Sequence, residues 1–385
     1  MTRTRLLLPT LVFAGLLGAC SGGSTGAPIS PPGAPALQSQ ARSASCLTSA
    51  CLYISGEILR KEKRGMPQGR GRILDVYRTR PNGNQTEVQA IRGNGNDLGL
   101  SGVAVDAARN VYVASGSRID VFAAGSNGNA APSRTIRGPK TGLDVQGIAV
   151  DSISNIYVVN RTSSSTSVTV YAAGSGGNVK PSRTISGLST GLDDPNGIAV
   201  DTDNDIYVVN GNGSITVYAA GVQGNVAPIR TIAGSNTGLS GPSSYGIYPQ
   251  GIAVDANDAV YTTVTCGGST CPDARPNHVG EILASGSNGN IPPIEVGEIL
   301  TFAPDSDGNV APIRKVYGDK TGLGPFGHIA LDARANIYFA YGVPSDDGTC
   351  AAISIVAFAA GANGNVAPFL QFAPKRCDPG GIAVR

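Results

Sequence analysis

From residue 46 onward, short apolar runs dense in Ile, Val, Tyr and Thr alternate with stops of Gly, Asn, Asp or Pro. Runs of β-branched and aromatic residues bounded in this way predict strands joined by tight turns. The fullest unit spans residues 147–187. It reads GIAVD, a short SISN step, IYVVN, a Ser/Thr-rich loop, SVTVYAAG, the turn SGGNVKP and SRTISG. Four strands follow from this pattern, labelled a to d in chain order.

The opening pentad returns at Gly102 (GVAVD), Gly147, Gly197, Gly251, His328 (HIALD) and Gly381 (GIAVR). Units of about 40 to 50 residues mark propeller blades or solenoid turns. The outer strand recurs in step as QAIRG (89–93), TIRG (135–138), TISG (184–187), TIAG (231–234), KVYG (315–318) and a degenerate copy at 369–374. The first unit lacks strand a and starts at Cys51-Leu52-Tyr53-Ile54-Ser55, which matches strand b, while residues 381–385 supply a strand a with nothing after it. Joining the two closes a ring and removes exposed sheet edges; a solenoid would instead need polar caps. The expectation is an all-β, six-bladed β-propeller with four antiparallel strands per blade, closed by the C-terminal strand joining the N-terminal blade. Seven blades is the rival count, because the interval from Gly251 to His328 is long and carries two GEIL segments (280–283 and 297–300). The excess is read as an insertion in blade five.

The pieces GIAVD, NIYVVN (155–160) and VTVYAAG (168–174) resemble the NHL-repeat family of β-propellers, and the resemblance covers nearly all of residues 46–385. Propellers of this kind include protein- and RNA-binding modules. Similar six-bladed rings include gluconolactonase-like lactonases, virginiamycin B lyase and peptide-amidating lyase. The resemblance therefore implies a fold and leaves activity open, since one fold hosts many functions.

Ahead of the repeats, residues 1–19 place Arg3 and Arg5 before an apolar run from Leu6 to Leu17, the pattern of a secretory signal. The ending Leu17-Gly18-Ala19-Cys20 resembles a bacterial lipobox, which implies lipidation of Cys20. Residues 20–45 are rich in Ser, Gly, Pro and Ala and are expected to be a disordered tether before a propeller at 46–385. The non-acidic Ser21 suggests an outer-membrane lipoprotein of the bacterial envelope. Six further cysteines in an exported chain argue for disulfides. Cys46 with Cys51 and Cys266 with Cys271 would close small loops, and antiparallel strands c and d of blade six would bring Cys350 to Cys377. Zinc is the alternative for the two CxxxxC pairs, against their spacing.

A net charge of +2 over 385 residues argues against nucleic acid as a partner. The near-identical c-to-d turns, such as GSNGNAAP (125–132) and GANGNVAP (361–368), carry the Asn-Gly steps that tight hairpins need and are scaffold. The Asp closing strand a (Asp106, Asp151, Asp201, Asp255, Asp332) is expected to accept backbone hydrogen bonds in the a-to-b turn. The other face, formed by the d-to-a and b-to-c connections, varies from blade to blade as a binding surface would. Its channel-mouth candidates are Gln146, Asn160, Asn196, Asn210, Gln250 and His328. Its loop candidates are Arg60, Lys61, Lys63 and Arg64 in a basic b-to-c loop of blade one (GEILRKEKRGMPQGRGR), together with Tyr245, Tyr248 and His278.

These readings favour a tethered, monomeric recognition module for a carbohydrate, peptide or envelope protein, with a lipid anchor and no cofactor. The alternative is a metal-dependent lactonase or lyase using a divalent ion such as calcium in the channel. With two His in the chain and no Glu in the pentad, a catalytic set is not legible.

Overall fold

A continuous apolar run such as Ile156-Tyr157-Val158-Val159 suits a strand covered on both faces, and these residues are all buried. The computed structural model describes residues 51–59, 70–78, 85–92, 101–239, 248–267, 295–343, 352–374 and 377–385. The pentads form inner strands at Gly102–Val105, Val145–Val150, Pro195–Val200, Tyr248–Val254 and His328–Leu331 in blades two to six, each leading into antiparallel strands b, c and d. Apart from one three-residue 3-10 turn, Leu188–Thr190, the described elements are strands.

Closure occurs where the repeat arithmetic puts it. Cys377–Val384 is strand a of blade one and pairs antiparallel with Cys51–Leu59, Leu52 opposite Val384 and Tyr53 opposite Ala383. Arg385 and Cys51 exchange backbone hydrogen bonds of 2.7 and 3.0 Å. Inner strands pack on one another in order around the ring, the blade-one strand meeting both its blade-six and its blade-two neighbours. The pentad glycines permit this approach. A Cβ on Gly197 would lie 2.5 Å from the Gln250 carbonyl, and one on Gly381 would lie 2.8 Å from the Val103 nitrogen. The apolar core sits between blades: Tyr112, Ile119 and Ile136 of blade two pack with Ile156, Val158 and Tyr171 of blade three.

Each Asp closing strand a organises its turn. Asp151 accepts from the Asn155 N–H at 2.8 Å, the Asn155 amide at 2.8 Å and the Tyr157 hydroxyl at 3.1 Å. Asp106, Asp201, Asp255 and Asp332 likewise accept from the Tyr six residues on. The backbone bonds match expectation; the Tyr partner is an addition from the fold.

Two sequence assignments need correction. The second GEIL segment, 297–300, is not excess: it lies in strand c of blade five, Glu295–Phe302. Blade one's GEIL is not loop either. Strand b runs on to Leu59 and strand c starts at Arg70, with Glu57 opposite Arg72. Long strands here cost nothing in backbone satisfaction, because each added residue finds a ladder partner.

Candidate functional site

Strand a of blades three, four and five is irregular at its first residues. Its register shifts between Val145 and Gly147, between Pro195 and Gly197, and between Pro249 and Ile252. The candidates Gln146, Asn196 and Gln250 stand at these bulges. A bulge leaves a residue outside the ladder and re-aims its side chain. All three side chains are partly exposed at the mouth formed by the d-to-a and b-to-c connections.

Arg161 ties this mouth together. Its guanidinium donates to the Gln146 Oε1 at 3.3 Å and to the Asn196 Oδ1 at 3.3 Å, and it pairs with Asp194 at 2.9 Å. Asn196 in turn donates to the Pro249 carbonyl at 3.1 Å, linking blades three, four and five in one polar belt. The Arg161 side chain keeps 34% exposure and Asp194 keeps 63%, so charge of both signs faces solvent there. In the sequence Arg161 is the first residue of a Ser/Thr-rich loop. The available signal was comparative: four residues after the strand-b Tyr, the other blades carry Glu57, Gly116, Gly211, Thr265 and Gly342.

Asn160 and Asn210 lie beneath the mouth rather than on it. Both are buried. Asn160 accepts from the Asp144 N–H at 2.9 Å and donates to the Thr169 hydroxyl at 2.9 Å. Asn210 accepts from the Asp193 N–H at 3.1 Å and donates to Ser214 and Thr216 hydroxyls at 3.2 Å. Their amides hold the d-to-a connection onto the blade.

His328 differs from its supposed equivalents by one position. It pairs with Ala340 in the register that Gly147 and Gly197 take opposite Val159 and Val209. It therefore stands where other blades have the pentad glycine, and Gly327 precedes it. Its ring bonds to the Pro379 carbonyl of the neighbouring inner strand, and burial pushes its pKa below 6.5, favouring the neutral imidazole.

Among the loop candidates, Tyr248 begins strand a of blade five opposite Thr265. Arg60, Lys61, Lys63, Arg64, Tyr245 and His278 lie outside the described residues, as do Cys20 with the leader, Cys46, Cys271 and Cys350. Cys51 is fully buried, and Cys266 lies near the end of strand b of blade five, Val260–Gly267. Cys377 follows strand d of blade six, Leu370–Phe372, in the chain. It opens strand a of blade one and is bridged to Ala352, two residues beyond Cys350. Among the described residues, no group of three or more His, Cys, Asp or Glu side chains converges.

No family model and no curated sequence matches the chain. Solved structures match by shape. A humanized mutant of the Chaetomium thermophilum Polycomb Repressive Complex 2 aligns at 12% identity and TM-score 0.42, covering 81% of this chain and 68% of that one. The WD40 β-propeller domain of Doa1 aligns at 9% identity and TM-score 0.39, covering 76% and 94%.

Proposed function

We propose that this propeller is a recognition module, an NHL-like ring that a lipid on Cys20 tethers in the bacterial envelope, at the outer membrane. The belt of Gln146, Arg161, Asp194 and Asn196 carries the reading. Amide, guanidinium and carboxylate groups in one partly exposed strip supply donors and acceptors of the kind that a peptide backbone or a sugar hydroxyl needs. A peptide with a free acidic side chain would compete with Asp194 for Arg161, and bidentate Arg–carboxylate geometry favours that exchange. The basic stretch Arg60 to Arg64 adds attraction for anionic partners. Disulfides of Cys266 with Cys271 and of Cys350 with Cys377 would fix loops of this face, and one between Cys46 and Cys51 would staple the opposite end of blade one, in an oxidising compartment.

Glycan and peptide arrays probed with detergent-purified full chain test the reading. A hit that Arg161→Ala and Asn196→Ala both weaken supports the belt as the contact. A hit indifferent to both places recognition elsewhere and overturns it. Metabolic labelling with a fatty-acid analogue tests the anchor separately, since Cys20→Ser should abolish both label and membrane association.

A further inference from the structure

At the opposite end of the inner strands, the a-to-b turns of blades two, five and six and the last residues of blade one surround a cavity of about 840 Å³. That volume lies within the range of small-molecule sites, roughly 300–1,000 Å³. Its wall holds three guanidinium groups, on Arg109, Arg334 and Arg385, and two carboxylates, on Asp255 and Asp332.

The carboxylates are already committed. Asp255 accepts from the Asn257 and Ala259 N–H groups at 2.8 and 3.1 Å and from the Tyr261 hydroxyl at 3.1 Å. Asp332 accepts from the Arg334 and Asn336 N–H groups at 2.9 Å and from the Asn336 amide at 2.8 Å. None of the three arginines forms an ion pair among the described residues. Arg109 holds a left-handed backbone, φ 65°, at a turn position where the other blades place Ser154, Asn204, Asp258 and Ala335. It bonds to the Tyr53 hydroxyl, yet its Nη1 is buried without an acceptor. A buried charged donor left unmatched is uncommon in native proteins and asks for an explanation.

We propose that this cavity binds a small organic oxyanion, held among the guanidinium-bearing side chains of Arg109, Arg334 and Arg385 that line it. Planar guanidinium groups match carboxylate and phosphate oxygens in pairs. Val254, Leu331 and Val384 supply an apolar wall for a carbon skeleton, which favours a sugar phosphate or a polycarboxylate over a bare ion. The site lies on the face opposite the Arg161 belt and stands independently of the recognition reading.

Isothermal titration of the full chain in detergent, with citrate, glucose 6-phosphate and glucose as probes at millimolar concentration and low salt, tests it. Citrate or glucose 6-phosphate should bind saturably and glucose should not. Which anion binds separates the carboxylate from the phosphate source. Arg109→Gln should weaken binding about tenfold or more, equivalent to about 1.4 kcal/mol. The double variant Arg334→Gln/Arg385→Gln should do the same, which covers the case in which Arg109→Gln fails to fold. Arg161→Gln should leave the affinity unchanged. Absence of binding by both anions, equal binding of glucose, or an affinity indifferent to the folded arginine variants would overturn the proposal.

Discussion

Ile136, in the outer strand of blade two, is bridged to Gly177, in the c-to-d turn of blade three. The Gly177 N–H donates to the Thr135 carbonyl at 2.6 Å, and the Gly177 carbonyl accepts from the Arg137 N–H at 3.1 Å. The same bridge joins Ile91 to Gly128, Ile185 to Gly224, Ile232 to Gly308 and Val316 to Gly364. An outer strand that would otherwise present open backbone groups is thus covered by the next blade. Side chains reinforce the clasp: the Asn178 Oδ1 accepts from the Lys140 N–H at 2.9 Å and the Asn225 Oδ1 from the Ser189 N–H at 2.7 Å. The turns read as plain hairpins in the sequence are the seams between blades.

Two glycines in this seam should respond differently to alanine. Gly177 sits at φ 74° with open space where a methyl would go, so Gly177→Ala should cost only the left-handed backbone term, about 1–2 kcal/mol. Gly187 sits at φ 121°, and a Cβ there would lie 2.5 Å from the Asn225 Oδ1. Gly187→Ala should destabilise more than Gly177→Ala in urea melts, and the reverse order would refute the clasp geometry.

Asp205→Asn should stabilise the ring. Asn110, Asn155 and Asn336 each donate an amide to the Asp four residues earlier at 2.8–2.9 Å. Asp205 has no amide to give; burial and its repulsion hold the Asp201 pKa above the usual carboxylate value. In Asp106, by contrast, hydrogen bonds from Asn110, Tyr112 and Ser154 outweigh burial and lower the pKa. The expected gain is about 1 kcal/mol near neutral pH. It should shrink in acid, where both carboxyls are protonated.

His328 should make stability fall as pH drops below 6.5. Its folded pKa is depressed by burial, so the unfolded chain takes up a proton that the folded chain resists. The contribution is complete above 6.5 and is lost toward the lower folded value. Chemical melts on either side of 6.5 should show a slope that His328→Gln removes; an identical slope in the variant would contradict the buried placement.

Asn160→Ala should separate scaffold from mouth. It strips acceptor and donor from the Asp144 N–H and Thr169 hydroxyl in a buried setting, at about 1–3 kcal/mol. Gln146→Ala, at the partly exposed bulge, should change stability by less than about 0.5 kcal/mol. Equal losses in thermal or urea melts would place Gln146 in the scaffold as well.

The blade count, the strand order and the closing of blade one by the C-terminal pentad at residues 381–385 were legible because each depends on local pattern repeated at regular spacing. Apolar runs ended by Gly and Asn specify strands and turns without reference to distant residues. The Asp in each pentad was legible for the same reason, since its backbone partners lie within four residues. What the pattern could not reveal was contact between units. Gln146, Arg161 and Asn196 come from two blades and meet only because inner strands converge at the axis and bulge there. Asn160 looks the same in sequence as a residue at the mouth, whereas the HIALD pentad already sets His328 in the place of the pentad glycine. Only the packed structure shows Asn160 to be buried, and the ladder register agrees with the pentad in standing His328 in a glycine's place. Arg109, Arg334 and Arg385 are far apart along the chain, and only closure of the ring brings their turns around one cavity. The sequence by itself determined the blade, because a blade is made of short-range hydrogen bonds and turn chemistry. The tertiary structure decided both mouths and the seams, because those are set by how rigid sheets pack around an axis.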